Sequence, residues 1–125
     1  MREPSEYSEQ AALVSWLRSL TPAPLFFHAA SERRCSPAEG ARLKALGVRR
    51  GLPDLWIVTP PPAEPNRPGT VIELKRRSGG HRSPEQEAWM RALLALGWAG
   101  GFYRGADEAV QMLRALGYVR PGDRP

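Results

Sequence analysis

The chain has 125 residues, 42% hydrophobic and 25% charged, which excludes a fibrous or disordered chain and leaves room for one core rather than two. Its 18 Lys and Arg against 13 Asp and Glu give a formal net charge of +5, which favours polyanions and puts nucleic acid first among partners. The longest apolar stretch, Ala92 to Tyr103, is broken by glycines and falls short of the roughly 20 residues needed to cross a bilayer, and no leader, lipidation signal or basic amphipathic helix is visible. An intracellular protein that avoids membranes is therefore expected.

In chain order, Leu13, Val14, Leu17 and Leu20 recur at helical spacing and predict a first helix over residues 8–20, closed by Thr21 and Pro22. Leu25 to His28 reads as a short strand. The polar, small-residue segment Ala29 to Gly40 suggests no element, and Ala41 to Leu46 adds a helical turn before Gly47. Two β-branched and aromatic runs follow, Asp54 to Thr59 and Thr70 to Leu74, as buried neighbouring strands. Between them Pro60, Pro61, Pro62, Pro65 and Pro68 forbid regular hydrogen bonding and mark an exposed connection. Ser83-Pro84-Glu85-Gln86 is a capping box with proline at the first helical position, so a helix starts there and runs to Gly97. Trp98 to Tyr103 predicts a strand and Asp107 to Leu116 a last helix. Residues 1–120 are expected to form one domain, with 121–125 as a loose tail.

The chemistry gathers around Pro53-Asp54 and Glu73-Leu74-Lys75. Side chains alternate faces along a strand, so Glu73 and Lys75 point the same way, about 7 Å apart along the backbone. A neighbouring strand can bring Asp54 beside them. Two carboxylates and an ammonium at a strand edge suit a hard divalent cation, and such a site suits phosphodiester hydrolysis. Arg49, Arg50, Arg76, Arg77, His81 and Arg82 flank it and suit phosphate contacts.

The segments Gly47-Val48-Arg49-Arg50-Gly51-Leu52-Pro53-Asp54-Leu55, Val71-Ile72-Glu73-Leu74-Lys75, Gly79-Gly80 and Ser83-Pro84-Glu85-Gln86 together resemble the VRR-NUC branch of the PD-(D/E)xK nuclease superfamily. The resemblance implies an α/β fold with a restriction-endonuclease-like core, a central mixed sheet flanked by helices in the order α-β-β-β-α-β-α. It implies a Mg²⁺-dependent endonuclease, with Mn²⁺ able to substitute, acting on DNA. The substrate so implied is a branched, flapped or Holliday-junction structure, cut by a homodimer. It places Asp54, Glu73 and Lys75 at the catalytic centre, Gln86 in support, and Glu6 of the first helix with Asp54 and Glu73 at the metal. Glu9 and Gln10 lie close enough on that helix to share or take over the role of Glu6. Arg49, Arg50, Arg76, Arg77 and Arg82 would contact the DNA.

Plainer readings stand beside these. Asp54 can be a turn residue after Pro53, Glu73 and Lys75 a solvated strand end, Gln86 a capping residue only, and Glu6, Glu9 and Gln10 a solvated helix start. His28 and His81 form no metal pair and suit packing or phosphate contact. Trp16, Trp56, Trp89 and Trp98 fall on apolar faces and suit core packing, and the single Cys35 is a bystander thiol. A non-catalytic DNA-binding module, or a nuclease subunit of a larger restriction or repair complex, is the rival function.

Overall fold

Helix α1 (Glu6–Arg18) opens the chain, its first free backbone N–H groups met by the side chain of Ser5, which accepts from Ser8 N at 3.1 Å. Strand β1 (Phe26–His28), helix α2 (Pro37–Ala45), strand β2 (Leu55–Ile57) and strand β3 (Thr70–Lys75) follow. Helix α3 (Pro84–Ala95), strand β4 (Ala99–Arg104) and helix α4 (Ala106–Ala115) complete the α/β fold. The computed structural model describes residues 3–29, 36–47, 49–120 and 122. Cys35, Val48 and most of the expected tail, Pro121 and Asp123 to Pro125, lie outside them.

The order differs from expectation by one element. The helical turn over Ala41 to Leu46 is the second half of α2, which starts at a Ser36 cap accepting from Glu39 N at 3.1 Å, with Pro37 at its first turn. The Ser36-Pro37-Ala38-Glu39 pattern carries the same start signal as Ser83 to Gln86. α2 buries none of its residues, so it has no apolar periodicity to betray it.

The sheet order is β1-β2-β3-β4, antiparallel across the first two pairs and parallel between β3 and β4, with α3 as the crossover. Alternation along the strands sorts the residues onto two faces. Leu55, Ile57, Ile72 and Leu74 face α1 and α4, where they meet Leu13, Leu17, Ala109 and Leu113 in the larger core. Val71 faces α3 and packs with Met90 and Leu93, surrounded by Trp56, Trp89, Trp98 and Phe102. The tryptophans pack as expected, with Trp56 edge-on to Trp98 at 5.4 Å and stacked on Phe27 at 5.9 Å.

The proline-rich connection is more than an exposed link. Pro61 is fully buried, Ala63 N donates to Leu116 O at 2.9 Å, and the hydroxyl of Tyr118 donates to Thr59 O at 2.6 Å. A proline ring can be buried without leaving an N–H to satisfy, so the run docks against the end of α4 while staying irregular. No helix among the described residues is long and apolar enough to cross a membrane.

Candidate active site

Leu55 pairs with Ile72 and Trp56 with Val71, so extending the register by one residue sets Asp54 opposite Glu73. Opposed residues of an antiparallel pair share a face. Asp54, Glu73 and Lys75 therefore lie on the α3 side of the sheet, next to the N-terminus of α3. Asp54 sits just ahead of β2, half-buried, in a short segment whose ends are held. Its carbonyl accepts from Ala29 N at 2.8 Å, and Trp56 Nε1 donates to the carbonyl of the preceding Pro53 at 2.9 Å.

Gly51 explains why this segment approaches α3 so closely. Its φ is +81°, and a Cβ there would lie 2.6 Å from the backbone carbon of Glu85 and 2.8 Å from Gln86 N. Only glycine combines this conformation with this approach. The loop bearing Asp54 is thus seated on the turn of α3 that bears Gln86.

Glu73 and Lys75 are not a solvated strand end, since they are 4% and 9% exposed. A buried ammonium requires partners. Lys75 Nζ donates to His81 O at 2.7 Å and to Gln86 Oε1 at 2.9 Å, and lies 3.9 Å from Glu73 Oε2. Gln86 Oε1 also accepts from Ser83 N at 3.0 Å, while Ser83 Oγ accepts from Gln86 N at 3.1 Å. One amide oxygen therefore closes the capping box and anchors the lysine at the same time.

The helix-borne candidates separate. Glu6 is exposed on the first turn of α1. Glu9 is buried and committed to Arg77, at 2.9 Å from Nε and 3.3 Å from Nη2, and this contact holds the Arg77 pKa above its ordinary value. Gln10 Nε2 lies 2.9 Å from His28 Nδ1, and the same ring nitrogen lies 2.9 Å from Asp54 O. Among the described residues no three Asp, Glu, His or Cys side chains gather as a metal set, so Glu6 does not join Asp54 and Glu73 here. His28, expected to pack or face phosphate, is instead a neighbour of the site through Asp54 O. Its signal, a histidine closing the strand before the acidic motif, is weak without the fold. The His81 contribution is a backbone carbonyl, for which no side-chain signal exists.

The arginines divide by face. Arg49 lies over Trp89 at 5.4 Å and Arg82 over Phe102 at 4.1 Å, both on the α3 side that carries Glu73 and Lys75. Arg50 is exposed beside Gly51. On the α1 side, Arg76 pairs with Glu3 at 3.2 Å and Arg77 bridges Glu9 and Asp107.

This arrangement presents two carboxylates as oxygen donors beside a fixed ammonium, with exposed guanidinium groups around them. Known proteins give the same direction. The family model for the VRR-NUC domain matches residues 4–105. A solved structure described as a VRR_NUC domain protein superposes with a TM-score of 0.75 at 23% sequence identity, covering 100% of this chain and 96% of that one. A search of curated proteins gave no match.

Proposed function

Because the chain belongs to the VRR-NUC domain family and is thereby a nuclease-type module acting on DNA, we propose that it is a metal-dependent endonuclease hydrolysing phosphodiester bonds in branched DNA. The observation that carries this reading is Lys75, buried yet held by Gln86 and His81 O beside Glu73, on the face that Asp54 shares. A lysine placed there for stability alone would be a costly choice, because an apolar side chain of similar size avoids its desolvation.

The donor set fits Mg²⁺ or Mn²⁺. Asp54 and Glu73 offer hard oxygen ligands, and a site with two carboxylates matches an ion that keeps several of its waters. A cation bound by this pair would supply Lewis acidity, polarising a phosphoryl oxygen and acidifying a water. The residues do the positioning. Lys75 has three N–H donors, two of them engaged by His81 O and Gln86 Oε1, which leaves the third for the side of Glu73, whose Oε2 lies 3.9 Å away. From there it orients an attacking water or meets charge developing on the phosphate. Gln86 keeps that ammonium in place through the helix cap, and Gly51 keeps Asp54 at the same height. Arg49, Arg50 and Arg82 would hold flanking phosphates, which fixes register without reading bases.

Among the described residues one chain carries one such site. Cutting two strands of a junction takes two copies, and a twofold homodimer is the simplest closed assembly. No recognition segment beyond the core is needed for a substrate chosen by shape.

The test is cleavage of labelled four-way junction, flap, single-stranded and linear duplex DNA in Mg²⁺, Mn²⁺ and EDTA, with gel filtration of the same preparation. Cleavage of the branched substrates in either metal and none in EDTA is expected. Failure to cut any of them would refute the stand-alone enzyme and leave the binding module or the partner-dependent subunit. Lys75→Ala should lower turnover by roughly 10²–10³-fold, the scale of losing one positioned donor, while retaining DNA affinity. Asp54→Asn should weaken Mg²⁺ binding measured by calorimetry, independently of any turnover.

A further inference from the structure

The turn from Arg76 to Arg82 leaves β3 immediately after Lys75 and is fastened from several sides. Lys75 Nζ holds His81 O, and Arg104 Nη1 donates to Arg76 O at 3.1 Å and to Gly79 O at 2.7 Å. Gly79 and Gly80, at φ of +69° and +75°, let the chain fold back there. The result is a supported loop whose Ser78 N–H, Ser78 hydroxyl and Arg76 guanidinium point at one spot.

That spot holds a carboxylate. Glu3 Oε1 accepts from Ser78 N at 2.5 Å and from Ser78 Oγ at 2.8 Å, and Glu3 Oε2 lies 3.2 Å from Arg76 Nη2. The Ser78 hydroxyl first, then its N–H and Arg76, draw the Glu3 pKa below the ordinary carboxylate value, so the spot favours an anion. A backbone N–H, a hydroxyl and a guanidinium form an equally good receptor for two non-bridging oxygens of a phosphate.

The neighbouring pair is of another kind. Glu9 is buried against Arg77, and a Cβ on Gly105 would run into its carboxylate, so that ion pair is packed into the fold. Glu3 lies ahead of α1, outside any helix or strand, and Arg76 is 56% exposed. Glu3 belongs to neither core cluster.

We propose that Arg76 and Ser78 form a phosphate-binding cradle for the DNA backbone, and that Glu3 occupies it in the free protein as an internal stand-in. DNA then exchanges one anion for another at the same donors. Glu3 thereby lowers affinity for any phosphate while holding the loop that supports Lys75 in its working shape. This inference rests on the reading of the chain as a DNA-acting module, and names one contact in it.

The experiment is fluorescence anisotropy of a labelled short duplex in EDTA, so that no cleavage intervenes. Glu3→Gln should tighten binding by about threefold or more, the scale of one exposed ion pair released. Glu6→Gln removes the same charge away from the cradle and should give clearly less. In an Arg76→Gln/Ser78→Ala background the gain from Glu3→Gln should vanish, and Ser78→Ala alone should reduce it. The proposal is overturned if Glu3→Gln binds as wild type does, if Glu6→Gln gives the same gain, or if the gain survives loss of the cradle. Wild-type binding without a Glu3 effect removes the cradle alone. No binding by any variant removes the DNA reading with it.

Discussion

Replacing Gly51 with alanine would place a Cβ 2.6 Å from the backbone carbon of Glu85, 2.7 Å from its Cβ and 2.8 Å from Gln86 N, at a φ of +81°. Two costs add. Holding a residue with a Cβ in the left-handed region costs roughly 1–2 kcal/mol. Forcing an extra carbon against packed backbone costs roughly 1–3 kcal/mol more, because neither the start of α3 nor the loop can yield freely. Gly47 supplies the control, since its φ is +92° with nothing within 4 Å of a Cβ, so Gly47→Ala should show the first cost only. In urea titrations Gly51→Ala should therefore lose roughly 2–5 kcal/mol, and Gly47→Ala about 1–2 kcal/mol. A domain in the middle of the usual range of roughly 5–15 kcal/mol still folds after either change. The functional loss should exceed what stability explains, because relief of the clash lifts Asp54 away from Gln86 and Lys75. Cleavage assayed where both variants are fully folded checks this. Equal stabilities for the two variants, or full activity of Gly51→Ala, would refute the account of how Asp54 is positioned.

Gln86→Ala removes an oxygen that serves both Ser83 N and Lys75 Nζ, so it should cost about 1–3 kcal/mol in denaturation and lower turnover with little change in DNA affinity. A turnover equal to wild type would confine Gln86 to the cap. His28→Asn keeps a donor near the Nδ1 position and should preserve activity, whereas His28→Gln places its amide further out and should lose it. The opposite ranking would show that Nδ1 does not hold Asp54 O. Tyr103 is pushed up to about 12 by burial, with Glu108 adding to the effect. Its folded form resists ionisation that the unfolded chain undergoes near pH 10, so the stability it contributes is whole below that pH and lost as pH rises toward 12. At 1.36 kcal/mol per unit the loss is at most about 2–3 kcal/mol, and solvent screening of the partly exposed ring lowers it to roughly 1–2 kcal/mol. Tyr103→Phe should abolish that step of alkaline unfolding followed by circular dichroism, and an unchanged profile would assign it elsewhere.

Most of the fold is legible in local patterns. Ser83, Pro84 and Gln86 announce α3 by capping chemistry, and Leu13 and Leu17 announce α1 by spacing, because both signals act within one or two turns. α2 was legible only as a turn, since a helix that buries nothing leaves no periodic trace. Pro61 shows the limit in another way. Five prolines in the connection exclude regular structure, yet which of them docks is decided by α4, whose partners lie some 50 residues further on.

Within the proposed site, residue types and their order single out Asp54, Glu73 and Lys75 as candidates, the family resemblance adds Gln86, and a strand's two-residue alternation puts Glu73 and Lys75 on one face. Burial was not visible there. That Lys75 is enclosed, with His81 O and Gln86 Oε1 as its acceptors, follows from α3 lying over the end of β3. Nor could spacing decide among Glu6, Glu9 and Gln10, which share one stretch of helix. The tertiary structure commits Glu9 to Arg77, sets Gln10 beside His28 and leaves Glu6 in solvent, because the rotation of α1 against the sheet is fixed by Leu13 and Leu17 entering the core. Sequence determined which groups could do the chemistry. Their distances, their burial and the self-occupied cradle at Ser78 were decided only when helices from both ends of the chain packed onto one sheet.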